Sequence, residues 1–140
     1  MAFLFAYLHF IGFIALVSLL VGELILLRKE INTESLIALK RMDLAYGLTA
    51  GLVLVSGITR IFYEKGWSYY AHSTVFWVKI ALFLSVAILS LYPTVIFIRS
   101  KNSENIGTVT YLRVRKIIHV QLMIIPFIVF CALWMARGIY

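Results

Sequence analysis

The chain has 140 residues, of which 63% are hydrophobic and only 14% are charged, and its mean hydropathy is +0.99. This composition excludes an ordinary soluble domain and leaves room for about four membrane spans of roughly 20 residues each. The net charge of +7 does not indicate a nucleic-acid partner, because most basic residues lie in two predicted loops and form no recognition module. The single cysteine, Cys131, excludes an intrachain disulfide.

Four apolar runs, taken in chain order, predict a single all-α domain over residues 1–140, an integral membrane four-helix bundle with short loops. The predicted spans cover residues 2–27, 43–63, 74–98 and 117–136. Thr33 is expected to cap a short helix that leads from the first loop into the second span. Gly66 breaks the helix after the second span, and the aromatic residues that follow it suit a membrane interface.

The second span is rich in small residues, which let neighbouring helix backbones approach closely in lipid. They are Ala45, Gly47, Thr49, Ala50, Gly51, Ser56 and Gly57. Steps of three and four residues place Tyr46, Gly57 and Arg60 on one helical face. Gly57 leaves space one turn from the Arg60 guanidinium, which predicts a site for an anion or a cofactor.

The distribution of basic residues predicts the orientation of the bundle. Nine of the thirteen lysines and arginines lie in the loops 28–41 and 99–116, among them Arg28 and Lys29. These loops are therefore expected to be cytoplasmic, and both termini are expected to face outward. The predicted location is the inner membrane of a bacterium, with membrane lipids, and anionic headgroups among them, as partners.

Ionisable side chains within membrane spans are energetically costly, and they therefore point to function. One set falls toward the outer leaflet, with one member on each span: His9, Arg60, Lys79 and Arg137. A second, inner polar layer is expected toward the cytoplasmic side: Glu23, Asp43, Tyr46, Tyr92 and His119. Helical spacing puts His9 and Glu23 on one face of the first span. It likewise puts His119 and Arg137 on one face of the fourth.

A purely structural role is the alternative for most of these residues. Lys79 and the two outer arginines can extend to outer headgroups through their long side chains. Asp43 suits a helix start, where a carboxylate meets the positive end of the helix dipole. His119 suits the membrane interface. Glu23 and His9 are the two that a surface position explains least well.

Short segments of three spans resemble a known superfamily. The segments are Tyr7-Leu8-His9, Lys40-Arg41, Tyr46-Gly47, Ser56-Gly57 and Trp77-Val78-Lys79-Ile80-Ala81-Leu82. Over nearly the whole chain they resemble the CopD-like superfamily, and in particular the HemJ-type protoporphyrinogen oxidase family. The segments AYG, FWVK and LYPT identify the chain as a member of a bacterial family of predicted four-helix membrane proteins.

The resemblance implies a site for haem b or another tetrapyrrole. It makes His9 the iron ligand and aligns Lys79 with the family's third-helix lysine. Gly12 lies one turn from His9 and would let a ring approach closely. Arg60, together with Lys79 or Arg137, would pair with two propionates.

The second axial ligand stays open at this point. The position is vacant, or it is filled by Lys79 or His72, or it is supplied by a second subunit. Relatives usually carry further histidines where this chain has Glu23 and Tyr92-Pro93, and their Asn-Glu-x-Pro segment is approximately replaced here by His119-Val120-Gln121. The predicted function is a redox or porphyrin-handling role, with porphyrin or quinone as candidate ligand and a membrane oxidoreductase of the protoporphyrinogen oxidase type as candidate enzyme class.

Two other functions stay open from the sequence. Glu23, Asp43 and His119 could form a cytoplasmic entrance for protons or cations, which predicts a small oligomeric protein that transports protons, ions or another solute. Pairs of small residues would then mediate a homo-oligomer: Ser18 with Gly22, or Gly47 with Gly51. In the remaining hypothesis, the buried polar pairs only hold helices in register within a non-catalytic assembly subunit.

Overall fold

A computed structural model describes residues 2–27, 31–101 and 106–138, so that Arg28 and Lys29 of the predicted orientation signal lie outside the described residues. The described residues contain five helices, in chain order: α1 Ala2–Leu26, α2 Thr33–Glu64, α3 Trp67–Ala71, α4 Thr74–Arg99 and α5 Thr108–Ala136. All of them except α3 are long and apolar enough to cross a membrane. The prediction of an all-α four-helix membrane bundle is therefore confirmed.

The four long helices form an antiparallel ring in the order α1, α2, α4, α5. Gly12 of α1 faces Val53 of α2, whereas Gly22 faces Met42, so these two helices run in opposite directions. Contacts of α2 with α4, of α4 with α5 and of α5 with α1 complete the ring. The end of the bundle that carries α3 is called the α3 end. The opposite end, where Ser100 caps the C-terminus of α4, is called the Ser100 end.

Helix α2 begins well before the predicted second span. The prediction that Thr33 caps it is wrong by one residue: the extended Asn32 is the cap, and its Oδ1 accepts a hydrogen bond from the Ser35 backbone N–H at 2.8 Å. From Thr33 onward the segment forms one continuous helix with the second span instead of a separate short helix, because Leu36 and Leu39 are buried and extend its packed face.

Helix α5 also begins earlier than predicted, at Thr108 instead of residue 117. Tyr111, Val114 and Ile118 are buried at helical spacing, so apolar packing holds this segment in the helix while its charged side chains lie outside. The second basic loop is correspondingly shorter than the predicted 99–116. The predicted loop between the second and third spans contains the five-residue helix α3.

The apolar core is concentrated toward the Ser100 end. Its fully buried side chains include Leu20, Leu39, Phe97 and Ile118, contributed by all four long helices. Large apolar side chains on the outer faces of the same helices are exposed, as lipid contact requires. On α1, the buried Leu16 and Leu20 form an apolar layer between His9 and Glu23.

Candidate functional site

A partly open cavity of about 280 Å³ lies between the helices at the α3 end. His9, Arg60 and Lys79 line it, together with Gly57 and Glu64. Most of the remaining wall is apolar or aromatic. Three of the four side chains that the sequence assigns to an outer layer thus line one cavity. They come from three different helices.

The imidazole of His9 is held in one tautomer by α2. Its Nδ1 lies 2.9 Å from the Val53 carbonyl oxygen and 3.2 Å from Ser56 Oγ. The Ser56 hydroxyl itself donates to the same carbonyl at 3.1 Å. Because a carbonyl can only accept, Nδ1 carries the proton and donates it. Nε2 therefore keeps its lone pair, and it makes no hydrogen bond within the described part of the chain.

Because Gly57 has no side chain, the His9 imidazole can pack closely against α2. A Cβ atom at this position would lie 3.4 Å from His9 Nδ1 and 3.1 Å from His9 Cε1, and the second distance is shorter than most Cβ contacts in proteins. The space predicted one turn from the Arg60 guanidinium is thus occupied by the His9 ring. At Gly51, which lies earlier on α2, an added Cβ atom would have no neighbouring atom within 4 Å.

A Gly57→Ala substitution is expected to destabilise the protein by about 1 to 3 kcal/mol relative to Gly51→Ala, because the added methyl group overpacks the His9 ring. Both changes gain the same helix propensity, so that their difference isolates the clash. Thermal unfolding in detergent measures the stability, and the nitrogen chemical shifts of His9 report the displaced ring. Equal melting temperatures for the two variants would show that the imidazole does not pack on Gly57.

Lys79 brings a positive charge to the cavity that no negative side chain neutralises at close range. The side chain is partly buried, and it makes no hydrogen bond or ion pair with any residue in the ranges 2–27, 31–101 and 106–138. Its charge acts at longer range on His9 and Arg60. A cation in such a position is costly unless a ligand or water supplies negative charge or lone pairs.

Arg60 differs from Lys79 because it already has a partner. Its Nε donates to Glu64 Oε1 at 2.7 Å, and its NH2 group lies 2.6 Å from the same oxygen. Tyr70 of α3 donates to the other carboxylate oxygen at 3.1 Å. Burial, and next the negative charge of Glu64, raise the pKa of Tyr70, so that its hydroxyl stays protonated and keeps donating. The hydrogen bonds that connect Arg60, Glu64 and Tyr70 hold α3 at the rim of the cavity.

Three of the residues named from the sequence lie apart from this cavity. Arg137 is the exposed C-cap of α5, and His72 is exposed at the end of α3 with its Nδ1 on the Ser68 carbonyl. Gly12 faces Val53 and Leu52 in the contact of α1 with α2. A Cβ at Gly12 would meet Val53 Cγ2 at 3.0 Å, so this glycine serves helix packing rather than the approach of a ring.

Toward the Ser100 end, Glu23, Asp43 and Tyr46 are buried in the contact of α1 with α2. Thr94 of α4 donates a hydrogen bond to Asp43 Oδ1 at 2.9 Å. Three of the five residues predicted for the inner layer therefore lie together, and Thr94 joins them.

The other two predicted members of the inner layer have different surroundings. Tyr92 is partly buried and packs against the apolar core. His119 is exposed on the outer face of α5, where its Nδ1 bonds the Arg115 carbonyl at 2.8 Å. The inward face of α5 presents Gln121 instead. Only 1% of this residue is exposed, and its Nε2 donates to the Val86 carbonyl of α4 at 3.0 Å.

Sequence reasoning missed several partners in both layers. Glu64 could have been found, because it follows Arg60 by four residues and such pairs meet on a helix surface. The carbonyl partner of His9 could not have been found, since a backbone carbonyl has no signature in the sequence. Thr94 and Gln121 are likewise ordinary polar residues in apolar spans, and only the rotation of their helices turns them inward.

Four apolar helices in an antiparallel ring, with a polar cavity at one end and buried carboxyl groups toward the other, define an integral membrane protein of the multi-pass type. The chain belongs to the family described as "Predicted membrane protein (DUF2214)", whose model matches residues 1–140. No curated protein matches the chain, and no solved structure does.

Proposed function

We propose that the cavity at the α3 end binds haem b or a closely related anionic tetrapyrrole, and that the protein has a redox or porphyrin-handling role. The observation that carries this proposal is the His9 ring, which has its Nδ1–H fixed on the Val53 carbonyl and its Nε2 lone pair unused. Histidines that bind metals are typically oriented in this way, by a hydrogen bond from the other ring nitrogen.

The chemistry of the remaining lining fits the same ligand. Lys79 offers an unneutralised positive charge to a propionate, and the apolar wall suits a macrocycle. The enclosed volume of about 280 Å³ is just below the roughly 300 to 1,000 Å³ typical of small-molecule sites, so a macrocycle would extend into the open side of the cavity. No group of three metal-binding side chains occurs within the described residues, and a haem iron held by one imidazole needs none.

When bound, an iron porphyrin supplies one-electron chemistry, and the chain's own residues bind and orient it. His9 supplies the lone pair, Lys79 attracts a carboxylate, and Gly57 keeps the imidazole close to α2. Arg60 is engaged by Glu64 and contributes less free charge. The proposed setting is a bacterial inner membrane with the basic segments 28–41 and 99–116 on the cytoplasmic side. In that orientation the site lies in the outer half of the bundle.

The test is a titration of the purified, haem-free protein in detergent with ferric haem and, separately, with metal-free protoporphyrin. Haem is expected to give a sharpened, shifted Soret band with one equivalent bound per chain. Protoporphyrin is expected to bind more weakly, because it lacks the iron that His9 would coordinate. If neither compound binds, the proposal is wrong, and proton flux into proteoliposomes would then examine the transport alternative.

A further inference from the structure

The buried carboxyl groups toward the Ser100 end lie outside the cavity and have no part in the proposed function. Glu23 of α1 is only 2% exposed, and its Oε1 atom is buried without a hydrogen-bond partner. Asp43 of α2 is also buried and close enough for its charge to act on Glu23. Two buried carboxyl groups from different helices thus lie within electrostatic range of each other.

Their surroundings provide little compensation for negative charge. Thr94 of α4 donates one hydrogen bond to Asp43, and the Tyr46 phenol of α2 lies near both acids. The ion pair of Arg60 with Glu64 lies at the α3 end of the bundle and does not involve either acid. No residue in the described part of the chain forms a hydrogen bond with Glu23 Oε1.

The nearest basic and titratable groups of the packed helices have other partners. Lys40, one turn before Asp43 on α2, donates from Nζ to the Ser100 carbonyl at 2.6 Å. On α5, Arg115 donates to the Tyr111 hydroxyl at 2.7 Å, and His119 is directed to the exposed face. The phenol of Tyr92 on α4 packs against the core and carries no charge at neutral pH.

Two adjacent, desolvated carboxylates without a cation cannot both stay ionised, because each loses its hydration and repels the other. Only 2% of Glu23 and 7% of Asp43 is exposed, so burial leaves little room for a compensating cation. A proton satisfies this condition. Asp43 is the better place for the remaining negative charge, since the Thr94 hydroxyl stabilises it, and Glu23 is the better place for the proton.

We propose that Glu23 and Asp43 form a proton-binding pair that holds one proton at neutral pH, with Glu23 as the protonated member. The pair exchanges its proton at the Ser100 end, because Lys40 and the Ser100 carbonyl mark the nearest polar boundary about one turn away. It is separate from the cavity. Glu23 and His9 are 14 residues apart on α1, which is about 21 Å of helical rise, and the buried Leu16 and Leu20 lie between them.

Infrared spectroscopy of the protein in lipid nanodiscs tests the pair directly. The wild-type protein at pH 7 is expected to show the C=O stretch of a protonated carboxylic acid, shifted in D2O. Glu23→Gln is expected to remove this band, because Asp43 then ionises alone with its Thr94 hydrogen bond. Glu34→Gln is the matched control, since Glu34 is exposed in the first turn of α2. The absence of the band from wild type, or its survival in Glu23→Gln, overturns the proposal.

Two further variants test the coupling within the pair. Asp43→Asn is expected to keep the band at low pH but to weaken proton binding by Glu23 about tenfold or more, because the repelling charge is gone. Thr94→Val is expected to strengthen proton binding by Asp43, because Asp43 loses the donor that stabilises its ionised form. An unchanged titration in both variants overturns the pairing. Loss of the band on addition of Na⁺, but not of choline, would identify an alkali-cation site and also overturn it.

Discussion

Replacing His9 by alanine is expected to abolish the coordination signature of bound haem while leaving the fold intact. The His9 imidazole lines the cavity and has its Nε2 lone pair free for iron, so its loss removes the sharpened Soret band. The bundle should tolerate the change, because the Val53 carbonyl still accepts the Ser56 hydroxyl and is not left unsatisfied. Absorption and magnetic circular dichroism spectra of the haem-titrated variant measure the effect, and circular dichroism in the far ultraviolet checks the helices.

Two controls make the assignment of His9 specific. His72→Ala and His119→Ala are expected to retain the wild-type spectrum, since both histidines are exposed and bonded to carbonyls of their own helix segments. Added imidazole is expected to restore the Soret band of His9→Ala by entering the space that the side chain leaves. Binding of metal-free protoporphyrin should change little in this variant. A wild-type haem spectrum in His9→Ala would remove His9 as the ligand.

The fold could be predicted from the sequence because lipid leaves few alternatives. Backbone groups in a bilayer must be paired within each segment, so four apolar runs become four helices. The apolar runs end where polar residues begin, but a helix does not have to end there. Helices α2 and α5 extend past the apolar runs because Leu36 and Tyr111 continue their buried faces. This explains why the predicted spans are shorter than the helices.

Part of the candidate site could also be predicted. Depth along each span and helical spacing are both visible in the sequence, and together they bring His9, Arg60 and Lys79 to one level. The sequence does not show whether a given helical face points into the bundle or toward the lipid. His119 and Arg137 are both exposed on α5, because packing against α4 turns the Gln121 face inward instead. The hydrogen bond from Thr94 to Asp43 joins residues 51 positions apart and depends on that same rotation for α4.

The two polar sites have different chemical characters, and the apolar layer between them explains how both persist. At the α3 end an uncompensated positive charge attracts an anion, whereas the carboxyl pair toward the Ser100 end retains a proton. If the layers were in contact, Lys79 and Glu23 would neutralise each other as an ion pair. Leu16 and Leu20 on α1 keep them apart. Each site is therefore left with a charge that only a ligand or a proton can compensate.

Lys79→Met is expected to stabilise the ligand-free protein and to weaken its binding of haem. An ammonium without a partner inside a membrane span costs up to about 2.5 to 3.5 kcal/mol, and methionine has a similar length without the charge. The same charge is worth about 1.5 to 3 kcal/mol to a bound carboxylate, which corresponds to a loss of roughly 10-fold to 100-fold in affinity. Thermal unfolding of the ligand-free protein and haem titration measure the two effects.

Matched changes in protein and ligand separate this interaction from general effects of charge. Arg137→Met removes one positive charge at the same end of the bundle but outside the cavity, and it is expected to leave haem affinity unchanged. Haem dimethyl ester, whose propionates are blocked, should bind wild type more weakly than haem by the same factor that Lys79→Met causes. In Lys79→Met the ester and the free acid should then bind alike. If esterification weakened both proteins equally, Lys79 would not contact the propionates, and its buried charge would have to serve another anion.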